Sequence, residues 1–136
     1  MSKGPEGRYI DKIHRQLDPR IYKMKMNMGM GAPIGIPDYY YEGDKTNLWV
    51  EYKVLQTPSW NTTRKIPYRQ ITASQKLWIK RAYKNNQKVY VIMGDKDGNG
   101  IVINPYTLEH PQPLSYHTIK SPKEIAEEIA CLVLAN

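Results

Sequence analysis

The sequence predicts an α/β fold, from three observations. Apolar residues recur at helical spacing in some segments, they alternate with polar ones in others, and the two kinds of segment interleave along the chain. The predicted order is helix, three strands, helix, two strands and a terminal helix. At 136 residues the chain fits one domain, since compact domains cluster at roughly 100–150 residues.

The first helix comes from "EGRYIDKIHRQL", which sets Tyr9, Ile10, Ile13 and Leu17 on one face before Pro19 closes it. "RIYKMKMNMGMG" then alternates, with Tyr22, Met24, Met26 and Met28 on one side and Lys23, Lys25 and Asn27 on the other. This predicts a half-buried strand whose methionines pack on the core. "GIPDYYYEGDKTNLWVEYKVL" predicts a hairpin, with strands over about 36–41 and 48–55 joined by the polar turn "EGDKTN". Residues 56–71 carry two prolines, three positive charges and Trp60. They read as a long surface loop, a kind of segment that tends to be functional.

Thr72 and Gln75 have the spacing of a capping box and open the second helix, "ASQKLWIKRAYKN". "KVYVIM" follows as a strand, and the glycine-rich "GDKDGNG" turns it back into "IVIN". Ser121-Pro122 with Glu124 opens the last helix, whose face of Ile125, Ile129 and Leu132 is expected to pack on the sheet.

Lysine and arginine outnumber aspartate and glutamate by 20 to 13, a formal charge of +7. That balance points to a polyanionic partner, nucleic acid first. The one cysteine, Cys131, excludes an internal disulfide and a thiolate zinc cluster, and its apolar surroundings predict a buried structural thiol. No apolar run approaches the roughly 20 residues a membrane span needs, and the first residues lack the apolar centre of a signal peptide. An intracellular, cytoplasmic protein with no membrane partner is expected. "GMGAPIG" lacks the lysine and following helix of a phosphate-binding loop, so no nucleotide cofactor is expected. "DKDGNGIV" begins like a calcium loop but has Tyr106 where a bidentate glutamate belongs, and reads as a tight hairpin. His14, His110 and His117 have no metal or triad spacing and read as surface or loop residues.

The chemistry concentrates in the predicted hairpin. Residues two apart share a strand face, so Glu51 and Lys53 project to one side while Val50, Tyr52 and Val54 enter the core. Pairing of the two strands brings Asp38 close to Glu51, giving two carboxylates and one ammonium in a cluster suited to a hard divalent cation. A Glu-x-Lys triplet alone is usually a surface ion pair of little energetic weight. Here Asp38 follows a proline at a strand start, thirteen residues upstream of Glu51, in a basic chain.

Gly35-Ile36-Pro37-Asp38, Glu51-Tyr52-Lys53 and Thr72-Ala73-Ser74-Gln75, with Trp78 beyond, resemble the signature of PD-(D/E)xK nucleases, most closely the small phage and VRR-NUC type enzymes. The resemblance covers roughly residues 4–93. It implies a restriction-endonuclease-like αβββαβ core with a mixed central sheet, here extended by a C-terminal hairpin and helix. Asp38 and Glu51 would then be metal ligands, the backbone carbonyl of Tyr52 a further one, and Lys53 the catalytic lysine. Glu6 stands where many members place another acidic ligand, and Gln75 where they place another polar group. Glu6 is nearly as well explained by the macrodipole at a helix start, and Gln75 equally well by the capping box.

The implied cofactor is Mg2+ or Mn2+, and the implied reaction is hydrolysis of DNA phosphodiesters. Small enzymes of this kind often act as homodimers on branched DNA such as Holliday junctions, in the host-cell cytoplasm if viral. The alternatives are a nickase or nonspecific nuclease on duplex or single-stranded DNA, and a noncatalytic DNA-binding module. On the binding side, Lys76, Lys80 and Lys84 repeat every four residues along the second helix. Arg64, Lys65 and Arg69 in the preceding loop extend a phosphate-tracking surface. Trp60 is placed to stack on a base or wedge a branch, or else to pack over the hairpin.

Overall fold

The computed structural model describes residues 3–26, 34–55, 59–60 and 65–135. Helix α1 (Pro5–His14) is followed by strands β1 (Tyr22–Lys25), β2 (Tyr39–Glu42) and β3 (Asn47–Val54), then α2 (Ala73–Lys84), β4 (Val89–Gly94) and β5 (Gly100–Ile103). The short α3 (Pro105–Glu109) and the terminal α4 (Pro122–Val133) complete the chain. The five strands form one mixed sheet in the order β1-β2-β3-β4-β5. Only β3 and β4 run parallel. The long connection containing α2 is what permits that, since a tight turn joins only antiparallel neighbours.

Helices cover both faces of the sheet. Even-numbered side chains of β3, Val50 and Tyr52, join Ile13 of α1 and Ile125 and Ile129 of α4 in one core. On the other face Val91 and Met93 of β4 pack with Ile79 of α2, Ile71 and Trp60. The predicted capping box of Thr72 with Gln75 is present, and a second, Ser121 with Glu124, forms at the predicted start of α4. The turn after β4 is built by Asp95, whose carboxylate accepts from the backbone N–H groups of Asp97 and Asn99. Tyr9 of α1 lies over the cross-strand pair Gly94 and Gly100, where a Cβ on either glycine would collide with the tyrosine.

Three expectations are overturned. All of β1 is exposed, with Tyr22 56% and Met24 40% accessible, so the methionine face is not core. Among the described residues β1 is an edge strand paired with β2 alone; Met28 lies outside them. Cys131 is exposed, because the buried positions of α4, Ile125, Ala126, Ile129 and Val133, leave it on the opposite side of the helix. His14 is half-buried rather than a surface residue, its Nε2 2.8 Å from the Tyr41 hydroxyl, which lies 2.6 Å from that of Tyr52. Burial, and then the charge of Lys23, hold the His14 imidazole down at about 4.

Candidate active site

Tyr39 pairs with Val50, so Asp38 falls opposite Glu51, one step past the end of the β2–β3 ladder. Asp38 is pinned there from two sides. Its Oδ2 accepts from the Tyr52 backbone N–H at 2.8 Å, and its carbonyl accepts from Met26 N–H at the end of β1 at 2.7 Å. Gly35, at φ +84°, packs against the Ser74 carbonyl, which sets the Pro37-Asp38 corner on the N-terminus of α2.

Glu51 points to the α2 side of the sheet. That face is not the wet one of a simple hairpin: Glu51 is 3% accessible, because the parallel neighbour β4 and α2 enclose it. Its Oε2 accepts from Gln75 Nε2 at 3.0 Å and lies 3.4 Å from Lys53 Nζ. Its Oε1 is buried and has no hydrogen-bond partner among the described residues. Burial and then the neighbouring Asp38 charge push Glu51 up to about 8, with Lys53 opposing. Burial also raises Asp38, against the pull of the Tyr52 N–H and of Lys53 and Lys25.

Two clefts meet at Glu6. One of about 570 Å³ is lined by Glu6, Lys53, Leu55 and Gln70, the other, of about 400 Å³, by Glu6, Lys25, Asp38 and Tyr39. Much of Glu6 is exposed. Burial of its carboxyl, then the charge of Asp38, still raise it above the ordinary carboxylate range. Among the described residues no three His, Cys, Asp or Glu side chains gather closely enough to hold a metal ion by themselves. The fold thus brings Asp38, Glu51, Lys53 and Gln75 together, and leaves Glu6 facing them across the cleft.

Lys76, Lys80 and Lys84 are exposed along α2, and Lys65 and Arg69 are exposed ahead of it; Arg64 lies outside the described residues. Trp60 is buried rather than placed on the surface, where a DNA contact was expected. It is 2% accessible, its Nε1 donates to the Met93 carbonyl at 3.2 Å, and its backbone N–H donates to Asp95 at 3.0 Å. A ring held inside the second core has no face to offer a base. Lys25 is the site residue that sequence reasoning passed over. It sits opposite Tyr39 on β1, lines the Asp38 cleft and has no ion pair among the described residues. Its signal was the charged half of the methionine alternation.

The carboxylate pair and the lysine thus sit on a mixed five-stranded sheet with helices on both faces, beside the start of α2. The structure is similar in fold to that of Hjc, a Holliday junction resolvase from the archaeal hyperthermophile Archaeoglobus fulgidus. The TM-score is 0.57 at 13% sequence identity, covering 91% of this chain and 97% of that one. No family model and no curated protein matches the sequence. No helix among the described residues is long and apolar enough to cross a membrane.

Proposed function

We propose that the chain is a divalent-metal-dependent DNA endonuclease of the small phage or VRR-NUC kind, cutting branched DNA such as Holliday junctions as a homodimer. The observation that carries the proposal is Glu51: a buried carboxylate with one oxygen lacking a donor among the described residues, set between a second carboxylate and an ammonium. Such an oxygen is costly unless a proton or a cation lies against it. An all-oxygen donor set fits Mg2+ or Mn2+. Asp38, Glu51 and the Tyr52 carbonyl would hold the ion, with Glu6 facing it from α1. Three carboxylates are not required, since magnesium commonly takes one or two and fills its remaining positions with water and phosphate oxygens.

When bound, the ion supplies Lewis-acid polarisation of the phosphodiester. The chain's own groups do the rest. Lys53 places its ammonium where negative charge develops on the phosphate oxygens. Gln75 fixes the Glu51 rotamer, and the Tyr52 N–H fixes that of Asp38, so both acids are oriented before substrate arrives. Lys25 and the α2 lysines attract the DNA backbone. The branched-DNA part is supported by the likeness to a Holliday junction resolvase. The homodimer follows from symmetric cutting, which needs two sites where one chain offers a single such carboxylate pair among the described residues.

Incubation with a four-way junction, a duplex and a single strand, each with Mg2+ or Mn2+, tests the proposal. Junction cleavage is expected, lost by about a hundredfold or more in Glu51→Gln and Lys53→Ala while junction binding persists. Wild-type protein that binds all three and cuts none would be a noncatalytic module. Equal cutting of all three would mark a nonspecific nuclease.

A further inference from the structure

Along α2 from Lys76 to Tyr83, the helix and α3, which packs against it, line a groove of about 170 Å³, and a second groove of about 420 Å³ opens beside it at the C-terminal end of α2. Tyr83 and Pro105 line both, and Tyr83 is 49% accessible. The first groove has an apolar floor of Ile79 and Leu108, with Lys76 and Lys80 at its rim. In the second, Tyr90 forms another wall, and Asn86, Gln87 and Lys88 bring amides and an ammonium to its edge. Glu109, in the first groove, is the one carboxylate of the pair.

Two demands follow from that chemistry. The lysines select a polyanion. The aromatic and proline surfaces select flat apolar faces, and the amides can donate to and accept from polar edges. A duplex keeps its base faces stacked inside and meets only the first demand. An unpaired strand meets both, since every base has a face to stack and a phosphate to neutralise. We infer that the α2–α3 grooves bind unpaired nucleotides of single-stranded DNA, with one base on each side of Tyr83. This rests on the DNA-binding half of the proposed function and does not depend on cleavage. Lys76 and Lys80, which rim the first groove, and Lys84 are exposed on α2, whose first turn carries Gln75 beside Glu51, so one cationic helix joins the carboxylate site to the grooves.

Fluorescence anisotropy in EDTA tests the inference, using three labelled probes of equal length: oligothymidylate, a fully abasic strand and a blunt duplex. Wild-type protein is expected to bind oligothymidylate about tenfold or more tightly than the abasic strand. Tyr83→Ala removes most of that preference and changes duplex and abasic binding less than about twofold, while Tyr83→Phe retains it. Should Tyr83→Ala melt early, Tyr83→Leu, which keeps apolar bulk without a ring face, carries the same expectation. The inference is overturned if wild-type protein binds the abasic strand as well as oligothymidylate, or if the variants weaken all three probes equally. Preference for bases without any cleavage in metal sinks the nuclease reading alone; cleavage with no Tyr83 dependence sinks this inference alone.

Discussion

Gln75 Nε2 donates to Glu51 Oε2 at 3.0 Å, while Gln75 Oε1 accepts from the Thr72 backbone N–H at 2.9 Å. One amide therefore completes the cap of α2 and holds the site's buried acid. Gln75→Ala removes both bonds and is expected to cost about 1 kcal/mol, or roughly 3–5 °C in melting temperature. Gln75→Glu keeps an acceptor for the cap but sets a third carboxylate against Glu51. In thermal melts it should fall below wild type at pH 8 in chelator and recover when Mg2+ is added. A Gln75→Glu protein that melts like wild type in chelator would show that the Glu51 contact is absent.

Glu51 makes the metal-free protein less stable as pH rises. Its folded value, about 8, lies above the ordinary 4.5. Between those values the folded state holds a proton that the unfolded state releases, so stability is fullest below about 4.5 and is lost as pH climbs through 8. Glu51→Gln stays neutral and should stabilise the metal-free protein at pH 8 by on the order of 2 kcal/mol, with little change at pH 4. Urea titrations at the two pH values measure the difference; a parallel shift at both would sink this account.

Gly35→Ala should destabilise the fold by about 2 kcal/mol or more, because φ +84° is strained for a residue with a Cβ and that carbon would run into the Ser74 carbonyl. The displaced corner carries Asp38, so cleavage should drop further than the loss of folded protein explains. Activity per folded molecule, from circular dichroism and a cleavage assay on one sample, separates the two effects.

Lys25→Ala is expected to leave the melting temperature within about 2 °C, since the side chain is exposed and its strand pairs through the backbone. DNA affinity should fall, and the slope of log affinity against log salt should decrease by about 0.9, one phosphate contact. An unchanged slope would place Lys25 off the DNA path.

The parts of the fold that were legible are those written in local signals. The capping box at Thr72, the helix start at Ser121, the period-two run through Val50 and Tyr52, and the turn at Asp95 are each complete within a few residues. The approach of Asp38 to Glu51 was also legible, because hairpin pairing converts sequence spacing into register. What failed needed knowledge of what covers a surface. Alternation says that Tyr22 and Met24 share a face, but not that the face is left uncovered. Trp60 is buried by Asp95 and Met93, more than thirty residues away, and nothing near Trp60 in the chain announces them. The burial of Glu51 is of the same kind: an isolated hairpin leaves that face open to water, and the parallel β4 and α2 close it.

Tyr9 over Gly94 and Gly100 works as a key in a keyway. The next positions on the same face of those strands, Ile92 and Val102, carry branched side chains packed in the α1 core, so the ring enters at one height along the sheet and α1 can neither slide nor roll past it. Glu6 rides on that helix three residues ahead of the key. The reach of an exposed acid at the cleft mouth is therefore set by two missing side chains on β4 and β5. Giving either glycine a methyl group would demand a smaller residue at position 9, and the helix would lose its fixed stop.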